Sequence, residues 1–216
     1  MVLLDDRPGS RRQVAPGGSW QGCLDLELAD SSEFRRVELS EGAWVDHCPG
    51  WAGPSLMEPL TTGVQWRAER REMYDRFLDV PRLVARFDDL ASIRIGGVAA
   101  LAGRLNDHYG FGPGHRNRLS TCGLCLYRDG RDSVAWHGDR MYRTDDTIVA
   151  IVSFGSARTL RLRPNEGGRS LSFQLGDGDL LVMGGSCQET WQHQIPKTSQ
   201  WCGPRISLQF RPGDVA

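Results

Sequence analysis

Five residues of this chain have the types and spacing to hold a metal ion and an acid: His137, Asp139, His193, Arg205 and Arg211. His137-Gly-Asp139 sets an imidazole and a carboxylate two apart, and side chains two apart on extended backbone point the same way. A second imidazole far downstream completes a set of two histidines and one carboxylate. That set occupies one face of a non-haem iron and leaves the opposite positions open to O2 and a co-substrate. Arg205-x5-Arg211 follows the distal histidine, and a guanidinium fork matches a carboxylate, so the co-substrate this suggests is 2-oxoglutarate. Each part alone is weak, because an isolated H-x-D is more often a local ion pair and a lone strand histidine is more often a core residue.

The elements that would position these residues start at Leu119. From there short apolar or alternating runs occupy 119–127, 133–137, 147–154, 158–162, 171–175, 179–183, 190–195 and 205–210. Asp129-Gly130, Asn165-Glu-Gly-Gly168 and Gly176-Asp-Gly178 punctuate them, as turn residues do between strands. Eight short strands with tight turns indicate a sandwich or jelly roll. His137 and Asp139 fall where one run gives way to a polar loop and His193 lies in another, so two strands of one barrel can converge on a metal.

Upstream the texture differs. Residues 1–19 read as a flexible polar arm, and 20–39 hold a strand or two. Leu56, Met57 and Leu60 give helical spacing over Pro54–Thr61. Residues 62–82 read as loop, with Trp66, Tyr74 and Phe77 among arginines. Val98, Leu101, Ala102, Leu105 and Tyr109 recur at helical spacing until Gly110-Phe-Gly-Pro-Gly114 stops them. The expected fold is α+β, mainly β: a sandwich or jelly roll from Leu119 onward with an N-terminal helical and loop-rich extension. Residues 20–216 are expected to form one domain.

At 216 residues, 39% hydrophobic and 25% charged, the chain has the composition of a soluble globular domain. It has no apolar run near the roughly 18 residues a membrane helix needs and no signal-peptide pattern at its start, so a cytoplasmic location is expected. The six cysteines are scattered rather than framed for disulfides. Cys122-x2-Cys125 lies in a strand, where residues three apart face opposite sides, so a zinc site is the weaker reading. The net charge is −1, with five arginines against ten acids in 1–66 and fourteen against ten in 67–143. The basic middle suits phosphates. Lys197 is the only lysine, however, so arginine is also simply this chain's default cation.

Five ordered segments resemble AlkB-type Fe(II)/2-oxoglutarate-dependent dioxygenases. They are Leu126-Tyr-Arg-Asp-Gly-Arg-Asp-Ser-Val-Ala-Trp-His-Gly-Asp139, Ile151-Val-Ser-Phe-Gly-Ser-Ala-Arg158, Gly176-Asp-Gly-Asp-Leu-Leu-Val-Met183, Trp191-Gln-His-Gln-Ile-Pro-Lys197 and Arg205-Ile-Ser-Leu-Gln-Phe-Arg211. Asp46-His-Cys-Pro-Gly-Trp51 and Pro81-Arg-Leu83 extend a weaker similarity upstream. The resemblance implies a double-stranded β-helix (jelly roll) core over 119–211 and oxidative dealkylation of N-alkylated bases in DNA or RNA with Fe(II), 2-oxoglutarate and O2, by a chain acting as a monomer away from membranes. It implies iron ligation by His137, Asp139 and His193, an Arg205 contact to the distal carboxylate of 2-oxoglutarate, and contributions from Arg211 and Tyr127. Cys125 and Ser207 stand at co-substrate positions where the family shows asparagine, and Arg140 stands after H-x-D where the family shows an acid. Substrate contacts are expected from Trp66, Met73, Tyr74 and Arg82 in a 62–86 lid, and from Trp136 and Arg140 beside the iron. Trp66, Met73 and Tyr74 are equally compatible with packing under that lid. Two other functions fit the same residues: the same oxygenase chemistry on a protein, lipid or small molecule, and a silent nucleic-acid-binding relative.

Overall fold

A computed structural model describes residues 33–73, 76–139 and 147–213, with the side chains of 71–79 excepted. The 1–19 arm, Tyr74 and Arg140 lie outside the described residues, as does the side chain of Met73. In chain order the elements are β1 (Arg35–Glu38), β2 (Trp44–Cys48), α1 (Met57–Gly63), β3 (Arg67–Met73), β4 (Arg76–Phe87), α2 (Val98–His108), β5 (Leu119–Tyr127), β6 (Val134–His137), β7 (Val149–Gly155), β8 (Arg158–Pro164), β9 (Leu171–Leu175), β10 (Leu180–Gly184), α3 (Cys187–Thr190), β11 (Trp191–Ile195) and β12 (Arg205–Pro212).

Among the described residues the strands form two antiparallel sheets. The larger runs β1-β2-β10-β7-β12-β5-β4-β3 and the smaller β6-β11-β8-β9. This is the expected jelly-roll core, and all eight runs foreseen from Leu119 onward are strands. Alternation along each strand builds two apolar layers. On β12, Ile206, Leu208 and Phe210 face the helices, where Leu60 of α1 and Val98, Leu101 and Leu105 of α2 cover them. The opposite face closes on the smaller sheet through Val149, Ile151, Leu160, Leu162, Leu181 and Ile195. Because β7 is covered on both sides, its six residues Val149–Phe154 are all buried, and it reads in sequence as an apolar run broken only by Ser153.

The N-terminal part differs from the expectation in three respects. The 62–82 stretch is not loop: β3 and β4 form a hairpin that extends the large sheet beyond β5, with Leu83↔Leu126 and Ala85↔Leu124 in register. Arginine and glutamate occupy β3 because it is an edge strand, where charge blocks further pairing, and that charge hides the period-2 signal. Strand β2, also unforeseen, pairs with β10. The first helix begins at Met57 rather than Pro54 and is stopped by Val64 in extended conformation.

Candidate active site

The face of β12 turned toward the small sheet carries Arg205, Ser207, Gln209 and Arg211. Strand β5 opposes them rung by rung with Tyr127, Cys125, Gly123 and Thr121. Position two along a strand thus repeats as a ladder of polar residues running into the sandwich. At one end of that ladder stand the three candidate ligands.

His137 and His193 are cross-strand partners of β6 and β11, with ring centroids 4.2 Å apart. Nδ1 of His137 lies 2.9 Å from the carbonyl oxygen of Ala135. A carbonyl only accepts, so Nδ1 carries the proton and Nε2 keeps its lone pair for a metal. Asp139 follows two residues later, and one ligand atom from each of the three residues lies within 4.8 Å of the others. Burial lowers the His193 imidazole to about 4, leaving it neutral and able to ligate at neutral pH. For Asp139 burial acts in the opposite sense, toward protonation. Arg211, by its charge and its hydrogen bond, and the two neighbouring imidazoles outweigh it, and the carboxyl sits below its ordinary value. Arg211 Nη2 donates to Asp139 Oδ1 at 2.9 Å. The neighbouring Cys187 thiol is pushed up to about 12, first by burial and then by Asp139, so it stays protonated.

At the other end of the ladder Arg205 is 1% exposed. Its Nη2 donates to Ser153 Oγ at 2.7 Å, and its guanidinium carbon lies 5.2 Å from the centre of the Tyr127 ring. Nε and Nη1 are buried with no hydrogen-bond partner among the described residues. Burial lowers the pKa of this cation, and burial raises that of Tyr127 beside it. A buried guanidinium with unused donors is costly unless an anion completes it, so the pocket suits a carboxylate. The donor set of two histidines and a carboxylate likewise suits Fe(II). Both ends therefore fit the iron and the dicarboxylate co-substrate that the sequence implies.

Between the ends, Gln209 joins the two positions where asparagine was expected. Its Nε2 donates to Ser207 Oγ at 2.6 Å, and the Cys125 thiol donates to its Oε1 at 3.8 Å. Gln209 was not singled out in sequence, although its place two after Ser207 and two before Arg211 puts it on their face. A side chain at Gly123 would stand 2.9 Å from Arg211 Nη1 and 3.1 Å from Gln209 Oε1, so this glycine leaves room for both. Cys122 faces the helix-side core and Cys125 the sandwich, which rules the pair out as two ligands of one zinc.

The remaining residues foreseen for the site separate. Arg211 reaches the metal end and not Arg205; six residue steps along the strand set them about 20 Å apart. Trp136 alternates with His137 and faces out of the sandwich, where Arg163 stacks on its ring at 4.3 Å. Trp66 packs against the helix-side core and donates to the Thr61 carbonyl oxygen at 3.3 Å, following the packing alternative. Arg82 lies toward the Arg205 end, donating to the Ser133 carbonyl oxygen at 3.4 Å. Met73, Tyr74 and Arg140 fall outside the described side chains. Arg158, part of a resemblance segment, is a brace: it donates to the carbonyl oxygens of Asp129, Asp132 and Pro196.

Comparison with known proteins adds to this geometry. The family model of the 2OG-Fe(II) oxygenase superfamily matches residues 27–211. Alpha-ketoglutarate-dependent dioxygenase alkB homolog 3 of Homo sapiens is 29% identical over 196 residues, covering 81% of this chain and 63% of its own. Its Mus musculus counterpart is 38% identical over 99 residues, 41% of this chain and 35% of its own. DNA oxidative demethylase ALKBH2 of Arabidopsis thaliana is 32% identical over 120 residues, 44% of this chain and 38% of its own. The chain thus spans less than two thirds of these relatives. Two solved structures share the fold: a 2OG-Fe(II) oxygenase family oxidoreductase from Burkholderia pseudomallei (TM-score 0.55, 14% identity, 80% of this chain and 86% of that one), and OsALKBH1 (TM-score 0.56, 12% identity, 82% and 100%).

Proposed function

The chain belongs to the 2OG-Fe(II) oxygenase superfamily, and on that premise we propose that it dealkylates N-alkylated nucleobases as an Fe(II)- and 2-oxoglutarate-dependent dioxygenase. The observation that carries the chemistry is the pairing of a His-Asp-His cluster with a buried arginine that has two unused donors on the same polar face. What supports a nucleic-acid substrate is kinship with a protein named as a DNA oxidative demethylase, together with the arginines of the β3–β4 hairpin.

His137 Nε2, Asp139 and His193 would hold the iron, and Arg205 would pair with the distal carboxylate of 2-oxoglutarate. When bound, that pair with O2 supplies the oxidation: the alkyl carbon gains a hydroxyl, 2-oxoglutarate leaves as succinate and CO2, and the hydroxylated adduct releases an aldehyde and the restored base. The chain's own contribution is placement and charge. Arg211 keeps Asp139 ionised in a buried setting, where a carboxylate would otherwise protonate. Ser153 and Tyr127 fix the Arg205 fork before any acid arrives, so little ordering remains to be done on binding. The apolar walls of the sandwich exclude water around both. A target base within a duplex must leave the stack to reach such a recessed site, and we assign residues 62–86, including the β3–β4 hairpin, as the lid over it.

The test is release of succinate and formaldehyde with a panel of methylated single- and double-stranded oligonucleotides. Turnover that depends on the methylated oligonucleotide supports the proposal. Equal rates with and without it would overturn the choice of substrate.

A further inference from the structure

We infer that Gln188 is a positioning residue for the metal-binding carboxylate, holding the backbone of Asp139 through its amide oxygen and offering its amide nitrogen to an oxygen of the loaded site. The inference rests on the metal reading above. Gln188 lies in α3, a single turn that runs directly into β11, so it stands five residues before His193 on the segment that delivers that ligand. Its side chain is 3% exposed. Oε1 accepts from the Asp139 backbone N–H at 3.4 Å, the long end for such a bond. Nε2 is buried with no partner among the described residues.

These observations tie one amide to two of the three ligands. The Gly138 between His137 and Asp139 fits the same contact: a Cβ there would stand 3.3 Å from the Gln188 carbonyl oxygen and 3.6 Å from that of Trp191. The H-G-D turn therefore lies directly against the α3–β11 backbone, and the glycine keeps it there. A core that only needed filling would place an apolar side chain at 188. Native proteins keep few buried donors without an acceptor, and those they keep cluster where a ligand completes them. Residues that orient metal ligands in this way contribute to affinity although they never touch the metal.

The experiment titrates Co(II) into wild type, Gln188→Met, Gln188→Ala and His193→Ala, and records the Co(II) absorption bands and the melting temperature in EDTA. Methionine keeps the volume and removes both amide functions; alanine serves if the methionine variant does not fold. The expected result is a Co(II) Kd raised about 10- to 100-fold, altered Co(II) bands at saturation, and an unchanged melting temperature in EDTA. Wild-type affinity and bands in Gln188→Met, or a lowered melting temperature with unchanged affinity, would overturn the inference. His193→Ala separates the two levels: if it too binds Co(II) like wild type, the metal reading has failed rather than the role of Gln188.

Discussion

Arg205 and Arg211 share a strand, a face and a residue type, yet the fold uses them in opposite ways. Arg211, at the mouth of the ladder, donates to Asp139 and to the Gln209 carbonyl oxygen. Arg205, deep in the sandwich, donates to Ser153 and keeps two buried donors with no hydrogen-bond partner among the described residues. The first spends its charge holding a neighbouring carboxylate ionised. The second is an uncompensated buried cation that an acid from solution would neutralise. A pair of arginines six apart therefore marks both a metal centre and a co-substrate pocket, and only their partners tell which is which.

The contrast can be broken by substitution. Removing a ligand should have the largest effect: His193→Ala should abolish turnover and lose Mn(II) binding, read by the signal of free Mn(II) in electron paramagnetic resonance. Full activity in that variant would show the triad to be misassigned. Next, Arg205→Met should weaken 2-oxoglutarate binding by about 30-fold or more, with metal affinity unchanged. Because it removes an unpaired buried charge, the same change should leave the ligand-free protein as stable as wild type or stabilise it by about 1–4 kcal/mol. A calorimetric titration and a thermal melt test both halves, and a large loss of stability would contradict the idea of a donor set waiting for an acid.

Arg211→Met should behave in reverse, with metal affinity falling about 10- to 100-fold and 2-oxoglutarate affinity at saturating metal changing less. If it matches Arg205→Met in co-substrate loss, the two ends are not functionally distinct. The smallest effect belongs to the loop that closes the Arg205 end. Asp132 accepts from the Arg128 backbone N–H and from both prongs of its guanidinium, and its backbone carbonyl receives Arg158. Burial pushes the Asp132 carboxyl up, but the bonds from Arg128 win and hold it below its ordinary value. A depressed carboxyl stabilises the fold above its unfolded pKa and loses that contribution as the pH falls through the folded value. Asp132→Asn should therefore cost about 1 kcal/mol at neutral pH, and the gap to wild type should close below pH 3.8, measured by urea denaturation across pH.

Much of this was legible without coordinates. The runs from Leu119 onward are strands because alternation and turn residues are local signals, and His137, Asp139 and His193 were readable as one site because two strands of one sandwich can converge, as β6 and β11 do. Family likeness located Arg205 as well. What stayed hidden has physical causes. The β3–β4 hairpin reads as loop because an edge strand armours itself with charge. Trp136 looks adjacent to the metal because it neighbours His137, whereas adjacent positions on a strand face opposite ways. Gln188 carries no motif at all; its importance lies in an amide that meets Asp139 only once α3 has folded against the H-G-D turn.

By itself the sequence determined the chemistry on offer, since two imidazoles, a carboxylate and a guanidinium fork have few joint uses and their order along the chain is fixed. It also determined a layered β fold, sandwich or jelly roll, through short alternating runs whose apolar faces need a second layer to cover them. The tertiary structure alone decided the partners: that Arg211 serves Asp139 while Arg205 is left with free donors, that Gln209 bridges Cys125 and Ser207, and that Gln188 reaches the metal turn. Hydrogen bonds act over about 3 Å, and residues dozens of positions apart come within that reach only when the sheets have set their register.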